Sequence, residues 1–141
     1  MINISTLSMN DVKEVVSFIS GTKYNKKETM KNLILFSVDT AACLQECLTL
    51  KWSDFQVYDD HVDVNFKNRI AKISVKFYNQ LSVLRNKNSD RVFDISNHSV
   101  NVMMTAIREY LDPLNSRNIT FHSFKKAGVS FTRKILASTK F

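Results

Sequence analysis

Apolar residues recur three and four positions apart over most of the chain and alternate in one stretch, which predicts a mainly helical α+β domain with a small antiparallel sheet. Ser8 to Asp11 has the pattern of a capping box, and Val12, Val15, Val16 and Ile19 follow at helical spacing until Gly21, so a first helix is expected over about 9–20. After a polar turn at 22–27, Met30, Leu33, Ile34, Ser37, Val38 and Ala41 form a broad second stripe central to the core. Residues 39–50 read as a third helix or as a bent continuation of the second. The period then changes. Val62, Val64 and Phe66 alternate with Asp63 and Asn65, and Ile70, Ile73 and Val75 follow a polar tip at 67–69, which is the pattern of a β-hairpin preceded by a strand near 55–58. Helices are expected again over 77–84, 99–111 and 122–137, with a polar loop at 86–90, a short extended segment at 91–93, and Pro113 closing the helix before it.

The chain has 141 residues, 44% of them apolar, enough for one domain with a core that needs no staples. No apolar run reaches the length of a membrane span, and the N-terminus lacks the pattern of a signal peptide; a cytoplasmic protein is expected, with no membrane partner. Cys43 and Cys47, four apart, point to two reduced thiols on one helix face rather than a disulfide framework. His61, His98 and His122 show no ligand spacing, so neither a metal nor another cofactor is expected.

Charge changes the picture more. The net charge is +7, from 20 Lys and Arg against 13 Asp and Glu. From Pro113 onward no acidic residue occurs, while Arg117, Lys125, Lys126, Arg133, Lys134 and Lys140 are all basic. A second basic cluster comprises Lys67, Arg69, Lys72, Lys76, Arg85, Lys87 and Arg91, with Asp90 as its one acid. This polarity suits a protein that lays one side on a polyanion, and equally describes two solvated basic faces.

Several blocks then resemble, in order, the catalytic domain of the tyrosine recombinases, the phage integrase family. Glu46, Leu50, Trp52 and Asp54 fall in register with the family's helix of the form R-x-x-E-L-x-x-L-x-W-x-D. Lys67 stands at the hairpin tip, where the family places a catalytic lysine; 91–93 resembles its short V-F segment, and 119–125 its H-x-L-R box. The resemblance covers about residues 25–140 and implies one integrase-like catalytic-fold domain over 1–141, shortened at its C-terminus.

The departures bear on chemistry. In the family, two arginines clamp the scissile phosphate through planar, bidentate contacts. The first arginine position here is Cys43, which offers no charge, and the second is Lys125, which keeps the charge without the fork. His122 keeps its family position. Tyr24, Tyr58, Tyr78 and Tyr110 all precede the H-x-x-K box and have surroundings unlike those of a nucleophile; each reads as a core or half-buried aromatic with a wet hydroxyl. The resemblance therefore implies a scaffold without recombinase activity, with no catalytic residues assigned. Lys67, Arg69, Lys72, His122, Lys125, Lys126, Arg133 and Lys134 are the candidate DNA contacts. Lys67 reads equally as an ordinary charged hairpin tip, His122 as a helix cap, and Trp52 as core. Three functions stay open: a DNA-binding regulator of a phage or other mobile element acting on duplex DNA; an accessory or antagonist subunit that pairs with itself or with a full-length integrase; and a fragment of an active integrase.

Overall fold

A computed structural model describes residues 7–129. The elements run α1 (Met9–Ser20), α2 (Lys27–Thr40), α3 (Leu44–Thr49), a single 3-10 turn (Trp52–Asp54), β1 (Phe55–Val57), β2 (Val62–Asn65), β3 (Ile70–Ile73), α4 (Val75–Ser82) and α5 (Asn97–Leu111). A further helix, α6, covers 122–129, the last of the described residues. The mainly helical α+β class expected from the periodicity is the one observed; the remainder of the helix expected to 137 lies outside the described residues.

The first capping box forms as the sequence reads. The Ser8 hydroxyl accepts from the Asp11 N–H at 3.0 Å and the Ser8 N–H donates to the Asp11 carboxylate at 2.9 Å, so two otherwise orphaned donors are satisfied. At the other end of α1 the Lys27 ammonium donates to the Ser20 and Thr22 carbonyls, a cation where the helix dipole is negative.

Helix α2 is the central element. Met30, Leu33, Ile34 and Phe36 have no exposed surface, and each such burial contributes about 2 kcal/mol. Phe36 packs its ring 5.3 Å from Phe93 and 6.1 Å from Phe66, and thereby joins the helical layer to the hairpin and to the 91–95 segment. The sequence stripe runs on to Ala41, but the helix does not. Ala41 takes a left-handed conformation, φ 55° and ψ 37°, and α3 starts separately with Cys43 as its N-cap. The third helix is thus shorter than the 39–50 expected, and the thiols are an N-cap and a buried helical position rather than two places along one helix.

The three strands form one antiparallel sheet in the order β1-β2-β3. The register pairs Phe55 with Val64 and Val64 with Ala71, so Phe55, Val62, Val64, Ala71 and Ile73 share the inner face, and Gln56, Asp63 and Lys72 lie in line on the outer one. Alternation in the sequence gives this inner face for Val62 and Val64, and Ile73 joins it; Ile70, expected in the same apolar row, instead pairs with Asn65 on the outer side and is 63% exposed, and Val75 opens α4. Trp52, buried as expected, sits under Phe55 and Tyr78 with ring centroids 5.5 and 6.3 Å away.

After α5, Asp112 closes the chain on itself. Its carboxylate accepts from the backbone N–H groups of Ser116 and Arg117, and Arg117 reaches back to the Asp11 carboxylate at 2.8 Å. Among the described residues no helix is long and apolar enough to cross a membrane, and no group of three His, Cys, Asp or Glu residues is arranged to hold a metal ion.

Candidate nucleic-acid interface

The hairpin and α6, which each carry part of a basic cluster, both touch the C-terminal end of α2. From the hairpin, the Arg69 guanidinium donates to the carbonyls of Thr40, at 2.9 Å, and Ala41, at 3.2 Å, and to the Glu46 carboxylate at 3.3 Å. Those carbonyls belong to the helix end whose last four C=O groups lack intrahelical partners, so a cation there is favoured twice, by hydrogen bonding and by the dipole. The guanidinium also lies 4.5 Å over the Phe66 ring. Burial pushes the Glu46 carboxyl up, but the Cys43 N–H and the Arg69 guanidinium outweigh it and hold it below the usual carboxylate range.

From the other side, α6 crosses α2 at Val38. The approach is so close that a Cβ on Gly128 would fall 2.0 Å from the Val38 carbonyl oxygen. Val38 and Ala41 are about 5 Å apart along the helix axis, so hairpin and α6 are pinned to one short stretch of α2. On α6, Ser123, Phe124, Ala127 and Gly128 face inward and are buried, while His122 is exposed and Lys125 and Lys126 are half-buried. Their spacing places His122, Lys125 and Lys126 on the outward stripe.

In the first turn of α6 the Ser123 hydroxyl accepts from the Thr120 N–H at 3.0 Å and so ties the entering chain to the helix. His122, for which a capping role was the alternative, is left facing solvent. Lys67 is exposed at the hairpin tip and lines a cleft of about 270 Å³ together with Glu46, Thr49, Asp54 and Asn65. Lys72 has different company: it projects from the outer sheet face opposite Asp63, beside the turn where His61 bridges Asp60 at 2.7 Å and Asp63 at 3.1 Å. Arg133 and Lys134 lie outside the described residues.

One division was invisible in the sequence. Among the described residues, Arg69, Arg91, Arg108 and Arg117 all donate to carbonyls, hydroxyls or carboxylates of the protein. Lys67, Lys72, His122, Lys125 and Lys126 make no hydrogen bond or ion pair there. Arginine's fork suits two carbonyls at once, and these four arginines serve as internal ties, as Lys26 and Lys27 also do through their ammonium groups. Arg69 thus ties the hairpin to the end of α2 and to Glu46. The tyrosines divide too: Tyr58 and Tyr110 are exposed, as a wet hydroxyl requires, whereas the Tyr24 hydroxyl is buried with no hydrogen-bond partner among the described residues.

Solved structures of similar architecture include a XerH site-specific recombinase bound to its difH substrate in a pre-cleavage complex, which superposes with a TM-score of 0.72 over 94% of this chain. The fold is that of a tyrosine recombinase. The same XerH on a palindromic difH substrate, in a post-cleavage complex, gives 0.73 over 95% of this chain, and XerA recombinase gives 0.61 over 94%. Sequence identity is 14%, 14% and 16% respectively, so the likeness is one of fold. The chain spans 44%, 43% and 52% of those three chains, about half a recombinase or less. No family model and no curated protein matches the sequence. Cys43 is the N-cap of α3, and Lys125 stands on the outward stripe of α6.

Proposed function

We propose that this chain is a non-catalytic DNA-binding protein built on a tyrosine-recombinase-like scaffold, acting as a regulator in a phage or other mobile element. The observation that carries the reading is the convergence of the hairpin and α6 on the Val38–Ala41 end of α2, which sets Lys67, His122, Lys125 and Lys126 on neighbouring elements, with no hydrogen bond or ion pair to them among the described residues. Lysine ammonium groups act as point charges on phosphates; they hold a polyanion without the bidentate geometry that a phosphoryl-transfer transition state needs. Cys43 supplies no charge at the position where the family resemblance implies an arginine clamp, which supports binding without cleavage.

The test is a salt titration with duplex DNA. Three lysine–phosphate contacts give a slope of log affinity against log salt of about −2.7, and Lys125→Ala with Lys126→Ala removes about 1.8 of it. Absence of binding to both random and specific duplex at low salt would overturn the reading. A suicide substrate that traps covalent adducts tests the non-catalytic half: no adduct is expected, and one formed by this chain would show it to be an enzyme.

A further inference from the structure

Arg85 stands apart from the other described arginines. It has no hydrogen bond or ion pair among the described residues, yet its guanidinium is held 5.0 Å over the Trp52 ring. The ring cannot give way, because Trp52 is itself wedged against Phe55 and Tyr78, which pack on each other at 5.2 Å. The Arg85 backbone is fixed as well, its N–H donating to the Ser82 carbonyl at 3.1 Å in the turn that ends α4. A planar fork with all five N–H donors open is thus exposed at the surface and oriented by stacking before any ligand arrives. Two exposed lysines lie close by in the chain: Lys87 follows in the polar turn at 86–89, and Lys51 immediately precedes Trp52. Of the nearby acids, Asp54 has its carboxylate on the Lys51 N–H at 2.9 Å, and Asp90 is an exposed residue whose carbonyl accepts from the Trp52 N–H at 2.9 Å.

The site borders the interface already described. Asp54 lines the cleft that Lys67 lines, and the 3-10 turn that carries Asp54 begins at Trp52, beneath Arg85. We propose that Arg85, stacked on Trp52, with exposed Lys51 next to Trp52 and exposed Lys87 two residues after Arg85 in the chain, is a second phosphate-contact site, a bidentate seat for a backbone phosphate of the nucleic acid held by the hairpin tip and α6. This inference rests on the DNA-binding reading and adds to it: the bound strand extends past the hairpin toward the end of α4, and Arg85, the one arginine left open among the described residues, provides its geometric anchor.

The experiment compares the full chain with Arg85→Ala, Arg85→Lys and the Lys125→Ala/Lys126→Ala pair on a short random-sequence duplex, across a salt series, with thermal unfolding run alongside. Arg85→Ala is expected to weaken binding about tenfold at low salt and to reduce the salt slope by about 0.9, a change that loss of the Trp52 stack alone would not produce. Arg85→Lys is expected to keep the slope but recover only part of the affinity; full recovery would overturn the role given to the stacked fork. If the α6 pair lowers the slope while Arg85→Ala leaves it unchanged, the second site is refuted and the DNA-binding reading stands. If the unmodified chain binds no duplex, both fall. Polyglutamate is the contrasting probe: an equal loss on polyglutamate and on duplex would overturn the assignment to phosphate.

Discussion

Replacing Gly128 with alanine sets two physical effects against each other, and the structure decides which wins. Within a helix, glycine to alanine gains about 1 kcal/mol of propensity. At Gly128, however, the added Cβ would meet the Val38 carbonyl oxygen at 2.0 Å and its carbon at 2.9 Å, and backbone cannot rotate aside as a side chain can. Restoring ordinary contact requires α6 to retreat by about 1.4 Å, a gap that forfeits half or more of the dispersion contacts on that face. Phe124 and Ala127, both fully buried, move with it. Taking about 3 kcal/mol for this forced mispacking, the upper end of the overpacking range, and subtracting the propensity gain leaves a net loss of about 2 kcal/mol. In a chain of this size that lowers Tm by roughly 6–10 °C. Gly21 supplies the internal control. A Cβ there would have the Phe18 carbonyl oxygen at 3.6 Å, and its φ of −83° suits any residue. Gly21→Ala is therefore expected to be neutral or to stabilise by up to about 1 kcal/mol, through the unfolded chain. Denaturant unfolding of both variants beside the parent measures the difference. If Gly128→Ala proves as stable as Gly21→Ala, the close crossing of α6 over α2 is wrong, and with it the convergence on which the interface depends.

Arg69→Ala should cost about 1–2 kcal/mol of stability by uncapping α2 and releasing Glu46, yet leave the salt slope of duplex binding unchanged; a lower slope without loss of stability would return Arg69 to the DNA surface. Asp11, through its hydrogen bond to Arg117, and Glu46 and Asp112, where hydrogen bonds outweigh burial, all have carboxyl groups held below their ordinary range. Groups with a depressed folded pKa contribute stability that is complete above the unfolded value and lost as pH falls through the folded one, so the chain should weaken below about pH 4. Asp11→Asn should remove about 1 kcal/mol at neutral pH and flatten that acid limb, as followed by urea unfolding from pH 7 to pH 2; an unchanged limb would contradict the Asp11–Arg117 clasp. Burial pushes the Cys47 thiol well up, while Cys43 is partly accessible at the head of α3. A thiol reagent should accordingly label one cysteine quickly in the native protein and both in denaturant, and two fast equivalents would show that α3 is not docked as described.

What the sequence determined by itself was whatever depends on local period and local chemistry. The Ser8–Asp11 box, the Val12, Val15 and Ile19 face, the Val62 and Val64 row of β2 and the burial of Trp52 all formed where they were read, from local spacing and residue chemistry. The ordered blocks around Glu46, Lys67 and His122 likewise carried the fold, because the intervals between elements constrain how they can pack. What remained hidden was decided by contacts between residues far apart in the chain. Nothing near Ala41 announces a left-handed break, since alanine there is made tolerable by an arginine 28 residues away on the hairpin. Composition cannot distinguish the arginines bound to carbonyls from the lysines left facing solvent, because the charge is the same and only the tertiary partner differs. Gly128 looks like an ordinary weak point of a helix until Val38 is placed against it. Tertiary structure alone sets two basic segments, some 55 residues apart, on the same end of one helix, because convergence in space is a property of packing and leaves no trace in any window of sequence.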